Sequence, residues 1–309
     1  MFRRILVPLD GSSLSERALP IPAAVAQSTG GRLILVRAAV AHSLPGTDEG
    51  KAQLQAVHDA QAYLQTIARR YNDLLDLECV APLAPPEEGI LMEAEVRRAD
   101  LIMMTTHGRS GLGRFVYGSV TESVLAHSPV PVWIVRMGSA APGAPRDRGV
   151  RPRILVPLDG SGFAEAALPY ATALARALDW TVVLLRVAPP ALPTVVEAEI
   201  SASQLPVPLV AEPPSEADRY LAAVAASLKA QGVRAQPLVR VGPPAQAILD
   251  ESAASGADLV VMATHGRSGM SRMLYGSVAA EVLHRGHLPL LLVRPDGVAA
   301  RPDIRTAAR

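Results

Sequence analysis

The chain is poor in several things at once. It has a single cysteine, Cys79, so no disulfide can form within it, as is usual in a reducing compartment. Cys79 sits in the apolar run Leu77-Glu-Cys-Val80 and reads as a core residue rather than a nucleophile. Aromatic residues are only 4% of the 309, so a core must come from Leu, Val, Ile, Ala and Met, which the 49% hydrophobic content supplies. Charge of neither sign dominates: 30 basic side chains stand against 29 acidic ones. No basic domain or stripe appears, and a nucleic-acid partner is therefore not expected. Lys51 and Lys229 are the only lysines, and the skew to arginine, with high Ala and Pro, reads as genome composition. No apolar stretch approaches the ~18 to 20 residues that span a bilayer. The chain begins Met1-Phe-Arg-Arg and runs straight into a strand, and Asp10 arrives too soon for a signal-peptide core. A cytoplasmic protein with no membrane segment is the expectation.

What the chain does have, it has twice. Ile5-Leu-Val-Pro-Leu-Asp-Gly-Ser12 recurs letter for letter as Ile154 to Ser161. Thr106-His-Gly-Arg-Ser-Gly111 recurs as Thr264 to Gly269, and Tyr117-Gly-Ser-Val120 as Tyr275 to Val278. A repeat of this length is a whole domain rather than a solenoid unit. Two domains also fit the length of the chain. The expected division is a first domain over 1–137, a Pro/Gly/Ala linker over 138–150, a second domain over 151–296 and a tail over 297–309. Each copy checks the other, because a feature present in one half only is a poor candidate for shared chemistry.

Each half reads as strand alternating with helix. Arg4–Leu9, Arg32–Val36, Leu75–Pro82, Asp100–Thr105 and Pro131–Arg136 are short apolar runs of the kind that form strands buried on both faces. Arg153–Leu158, Thr181–Val187, Arg234–Val241, Asp258–Ala263 and Leu288–Arg294 repeat the order. Helical stripes lie between them, including Ser13–Thr29, where Pro20 and Pro22 predict a kink, and Lys51–Arg70. The alternation predicts a parallel sheet with helices on both faces. The last strands are apolar enough to pair with one another, which would make the two halves an internal dimer. The second half carries its extra residues in Pro189–Pro214, a proline-punctuated stretch that is either a lid or loosely packed.

In an open parallel sheet, ligands sit beyond the carboxyl ends of the strands where strand order reverses. The repeated motifs fall at such ends. Asp10 and Asp159 close the first strands, and His107-Gly108-Arg109 and His265-Gly266-Arg267 follow the fourth. Gly118-Ser119 and Gly276-Ser277 open the next helices, a ready site for a phosphate. Each of these residues also has a plainer reading. Ser119-Val-Thr-Glu122 and Ser13-Leu-Ser-Glu16 are capping boxes, and Asp10 is itself a possible helix cap. The second copy reads Ser277-Val-Ala-Ala280 and keeps Gly-Ser without the glutamate, which favours the phosphate. His107 and His265 have no carboxylate or nucleophile recurring beside them, so a structural or ribose-adjacent role is preferred to general base. Asp100 and Asp258 read as turn residues. Gly108 to Gly113 has Walker A spacing, but Arg114-Phe115 replaces the Lys-Ser/Thr that motif needs, and no Gly-x-Gly-x-x-Gly follows a first strand.

This constellation resembles the universal stress protein family, in its tandem form, over the whole of both halves. The resemblance implies two tandem open parallel five-stranded sheets with helices on both faces, an α/β, Rossmann-like fold of the adenine-nucleotide alpha-hydrolase-like kind. It implies ATP as ligand, or ADP or AMP, with Mg as an open companion. In that family the Asp after strand one accepts a hydrogen bond from the adenine amino group, and a Gly-x2-Gly-x9-Gly-Ser/Thr loop holds the ribose and phosphates. Carried over by position, the adenine side maps to Asp10 and Asp159, with backbone contacts near Ala38 and Val187, and Pro8 and Pro157 are also placed among the nucleotide-binding residues. The loop is Thr105, His107, Gly108, Arg109, Gly118, Ser119 and Val120, and then Ala263, His265, Gly266, Arg267, Gly276, Ser277 and Val278. Thr105 and Ala263 stand where the pattern has its first glycine.

Three functions are then in play. The leading one is a nucleotide-binding stress or regulatory protein with little or no turnover and an unidentified regulatory protein partner. The second is a nucleotide-independent interaction module of the same fold, as an internal pseudo-dimer or a homodimer. The third is a slow ATPase, disfavoured because no paired carboxylates or activated nucleophile recur in both halves.

Overall fold

The computed structural model describes residues 1–41, 48–71, 74–105, 118–136, 151–188, 215–264 and 276–295. The first half is built from β1 (Arg4–Pro8), α1 (Ser13–Ala18), α2 (Pro20–Thr29), β2 (Arg32–Val36), α3 (Glu49–Ala68), β3 (Asp76–Val80), α4 (Pro86–Val96), β4 (Leu101–Thr105), α5 (Ser119–His127) and β5 (Val132–Val135). The second repeats it as β6 (Arg153–Leu158), α6 (Gly162–Glu165), α7 (Leu168–Leu178), β7 (Thr181–Ala188), α8 (Glu216–Ala230), β8 (Ala235–Val241), α9 (Pro244–Ala254), β9 (Leu259–Ala263), α10 (Ser277–Arg285) and β10 (Leu290–Val293). The linker, the stretch 189–214 and the tail lie outside the described residues.

The continuous apolar runs are explained by burial on both sides. Ile5 and Val7 of β1 join the cluster under α1, α2 and α3, while Leu6 between them joins the cluster under α4 and α5. Leu33 and Leu35 of β2 divide from Ile34 and Val36 in the same way. A strand with helices on both faces has no polar side, so the alternation that marks a half-exposed strand is lost.

The expected kink in Ser13–Thr29 is a full break. α1 ends at Ala18; its C-cap Leu19 keeps a helical backbone and is also the N-cap of α2, and Pro20 takes the first turn of α2, where a missing N–H costs nothing.

The strands form one sheet in the order β3-β2-β1-β4-β5-β10-β9-β6-β7-β8. The two expected five-stranded parallel sheets are thus continuous, joined through the antiparallel pair β5–β10. Leu291 faces Trp133, with Ile134 opposite Leu290 and Val132 opposite Leu292. Trp133 and Leu291 are equivalent positions of the repeat, so a pseudo-two-fold axis passes through that pair, as in a symmetric dimer interface. Phe2 meets Tyr170 edge to face across the same seam, with ring centroids 6.1 Å apart. Within each half the order 3-2-1-4-5 reverses between β1 and β4, or β6 and β9, which is where a crevice opens beyond the strand ends.

Candidate functional site

The base end of each site is built on a tight turn. β1 and β6 end in Asp-Gly-Ser, and Gly11 and Gly160 take φ of +86° and +78°, the left-handed region that favours glycine. The Asp10 carboxylate accepts from the Ser12 amide at 2.9 Å and the Ser15 hydroxyl at 2.7 Å. Asp159 accepts from the amide and the hydroxyl of Ser161 at 2.9 and 2.6 Å. Burial pushes the Asp10 carboxyl up, but hydrogen bonds from Ser12 and Ser15 outweigh it and hold the group below the usual carboxylate value. Ser12 and Ser161 are also the N-caps of α1 and α6, accepting from the amides of Ser15 and Ala164. The capping box expected at Ser13–Glu16 is therefore one residue out of register. Glu16 instead accepts from the Tyr63 hydroxyl at 3.2 Å and from Arg70 at 2.9 Å.

A second duplicated group braces this turn. A Cβ on Gly11 would meet the Arg37 guanidinium at 3.0 Å, and one on Gly160 would meet that of Arg186 at 3.0 Å. Arg37 lies over the Tyr63 ring at 4.4 Å and Arg186 over Tyr220 at 5.8 Å. Tyr220 donates to Glu165 at 2.8 Å as Tyr63 does to Glu16. Burial, then the neighbouring glutamate, raises the Tyr63 phenol to about 12. The same kinds of cause raise Tyr220.

The other end of each site is a helix start. Of the ten described helices, eight open either with a side-chain cap (Ser12, Asp48, Ser161, Ser215) or with a proline in the first turn. α5 and α10 have neither. Their N-caps are Gly118 and Gly276, so Ser119 is the first helical residue and does not serve as the cap its capping box promised. Both glycines have ordinary extended φ, −64° and −61°. A Cβ on Gly118 would meet no described atom within 4 Å. Neither the backbone nor the described packing calls for glycine at Gly118; among the described residues, what remains is open space beside amides with no side-chain cap.

In the second half these parts converge on one cavity of about 340 Å³. All seven described residues proposed there from the sequence line it: Pro157, Asp159, Val187, Ala263, Gly276, Ser277 and Val278. That volume falls in the lower range of small-molecule sites. Its walls include Arg186, Pro244, Ile248 and Met262, which sequence reasoning missed. The signal was present: Pro86, Ile90 and Met104 stand before Pro244, Ile248 and Met262 at the spacing that separates Thr106 from Thr264, and Arg37 before Arg186 at that of Ile5 and Ile154. In the first half Pro8 and Thr105 end β1 and β4, Asp10 and Ala38 lie just past β1 and β2, and Gly118, Ser119 and Val120 start α5. His107, Gly108, Arg109, His265, Gly266 and Arg267 lie outside the described residues.

The comparisons with known proteins agree with this architecture. The universal stress protein family model matches residues 1–136 and 151–294. The chain belongs to the universal stress protein family. It is 34% identical over 142 residues to a universal stress protein of Thermus aquaticus, covering 44% of this chain and 100% of that relative. It is 29% identical over 198 residues to universal stress protein Rv2005c of Mycobacterium tuberculosis, spanning 63% of this chain and 62% of that one. The crystal structure of a universal stress protein from Archaeoglobus fulgidus superposes with a TM-score of 0.73 at 20% identity, over 95% of this chain and 99% of that chain, which shows the shared fold.

Other polar groups of this universal stress protein have structural work. The Asp100 carboxylate accepts from the amides of Arg3 and Arg4 at 2.8 and 3.1 Å, and Asp258 from the Arg153 amide at 2.8 Å, fixing the starts of β1 and β6. A larger cleft of about 750 Å³ runs between α9 and α10, beside Asp250, His284 and His287. Size does not make it the site. Met92, Ala126 and Pro129 hold the equivalent positions in the first half, so its chemistry is not shared. No described helix is long and apolar enough to cross a membrane.

Proposed function

We propose that each half of the chain binds one adenine nucleotide, preferably ATP, and that the protein reports occupancy rather than consuming its ligand. The carrying observation is the convergence, in one cavity, of all seven described residues assigned from the repeat, with Asp159 and Val187 at one end and Gly276 and Ser277 at the other. The fit to a nucleotide rests on chemistry at both ends. The Asp carboxylate and neighbouring backbone offer acceptors and donors to a base edge, with Leu185, Ile248 and Met262 as apolar walls. The start of α10, which has no side-chain cap, offers amides and a partial positive charge to phosphate, and Gly276 lines the cavity there. The first half holds the same parts at the same strand and helix ends.

Slow turnover follows from what the described site presents. Phosphoryl transfer needs an oriented water or acceptor and concentrated positive charge. Among the described residues, the one carboxylate lining the cavity, Asp159, lies at the end assigned to the base. Any hydrolysis is expected to fall below the ~1 to 10³ s⁻¹ of ordinary enzymes. Calorimetry of the full chain with ATP, ADP and AMP tests the binding claim, and steady-state phosphate release with Mg²⁺ tests the turnover claim. Failure of all three nucleotides to bind at millimolar concentration transfers the assignment to the interaction module. Turnover above about 1 s⁻¹ makes the protein an ATPase.

A further inference from the structure

The residues that follow β5 and β10 are Arg136 and Arg294, equivalent positions of the repeat, and each reaches into the other half. Arg136, only 5% exposed, donates from Nη2 to the Leu283 carbonyl in the last turn of α10 at 2.6 Å. Arg294 donates from Nη2 to the carbonyls of Ala126 and Leu125 at 2.8 and 3.3 Å, and from Nη1 to that of Ser128 at 3.2 Å, at the end of α5. The carbonyls of a last helical turn lack partners within the helix and carry its partial negative charge, so a guanidinium there both satisfies and holds them.

α5 and α10 are also the two helices whose uncapped starts face the proposed phosphate positions. Each is nine residues, about 13 Å long, so an anchor at one end governs where the first amides at the other end point. The anchor itself grows out of the opposite site. The Thr264 amide donates to the Val293 carbonyl at 2.8 Å, and the Gly276 amide donates to the Thr264 carbonyl at 2.8 Å. Arg294 therefore leaves the sheet beside the second-half cavity, which Thr264 and Gly276 line, and ends on the helix of the first-half site.

We infer that Arg294 is a positioning residue for the nucleotide site of the first half and Arg136 for that of the second, so that each site is completed from across the pseudo-two-fold axis. The inference rests on the nucleotide reading above. The pairing of β5 with β10 places each arginine on the helix it serves. It also separates these arginines from simple staples between the halves, because a staple has no reason to act on one site more than the other.

The test uses the full chain with one site disabled at a time. Gly276→Val leaves the first site to be read alone, and Gly118→Val leaves the second. ATP affinity is then measured by calorimetry with Arg294→Met or Arg136→Met added to each background, with folding followed by circular dichroism. Arg294→Met should weaken the first site about three- to tenfold and leave the second within twofold, and Arg136→Met should do the reverse. Arg→Lys at the same positions should restore part of the loss, since an ammonium still donates to the carbonyls. Should a Met variant not fold, the Lys variants carry the test with the same crossed pattern at smaller size. Each arginine acting on its own half, both sites weakening alike, or no change in either would overturn the inference while leaving the nucleotide reading intact. No binding by the unsubstituted chain would overturn both.

Discussion

In the first half the acid that ends β1 accepts from the Ser12 amide and the Ser15 hydroxyl; in the second half Asp159 accepts from both the amide and the hydroxyl of Ser161. Ala164 stands where Ser15 does, and it lines the second cavity. Thr105 and Thr121 likewise become Ala263 and Ala279. The acid, the positive-φ glycine, the arginine over it and the Gly-Ser at the helix start are the same in both halves. What differs is the hydroxyl of Ser15, which Ala164 lacks, and the two threonines that become alanines. On the proposed nucleotide reading the shared set is expected to define the site and the varied set to tune it, so the second half, with alanine at these three positions, is expected to be the tighter of the two.

The strongest way to break the comparison is to close one site. Gly276→Val puts a branched side chain where the cavity lies, and Gly118→Val does the same in the first half. Each should lose binding in its own half only, lowering the stoichiometry by one at a helix-capping cost of about 1 kcal/mol. Titration of each variant with ATP checks it; undiminished stoichiometry in both would remove the helix start from the site.

Next in size is the acid. Asp159→Ala removes a charged acceptor at the base end and should weaken ATP in the second half by about ten- to a hundredfold, with loss of preference for adenine over guanine. Equal affinities for ATP and GTP before and after the change would show that the carboxylate does not read the base.

A smaller change should draw the halves together. Ser15→Ala copies Ala164 into the first half and narrows the affinity gap by about two- to threefold. It also removes a donor to Asp10. Because the folded state holds that carboxyl below its ordinary value, its contribution to stability is present above the ordinary value and lost as pH falls through the folded one. Acid unfolding of Ser15→Ala should therefore begin at slightly higher pH than in the unsubstituted chain, measured by circular dichroism against pH.

The smallest effect concerns the braces. Tyr63 and Tyr220 should both ionise above the ordinary tyrosine value in an absorbance titration, Tyr63 near 12. A folded value raised above the unfolded one stabilises fully below about 10 and loses that contribution as pH rises through about 12. Glu16→Gln should bring Tyr63 down and leave Tyr220 unmoved; a shift in both would show that the two clusters are not independent.

Much of this was readable beforehand, for physical reasons. Strands buried on both faces leave unbroken apolar runs such as Ile5-Leu-Val7, and duplication marks Asp10, Gly118 and Ser119 as more than local signals. The pairing of β5 with β10 was legible from apolar content, though its register about Trp133 was not. Two things were hidden because they are made by distance in space. Arg37 and Tyr63 are 26 positions apart and meet only once α3 packs on the sheet. Arg294 and Ala126 are 168 apart and meet only through the seam between the halves. Local patterns also misled where two readings shared the same letters. Ser119-Val-Thr-Glu122 spells a capping box, yet the cap is Gly118, and that displacement is what leaves the helix start open.

The claim on which everything else depends is that both halves bind, and native mass spectrometry of the full chain titrated with ATP addresses it most directly. The expected spectrum shows one and then two nucleotides per chain, the second-half site filling first, with each single glycine variant stopping at one. A chain that carries no nucleotide at millimolar ATP would contradict the account.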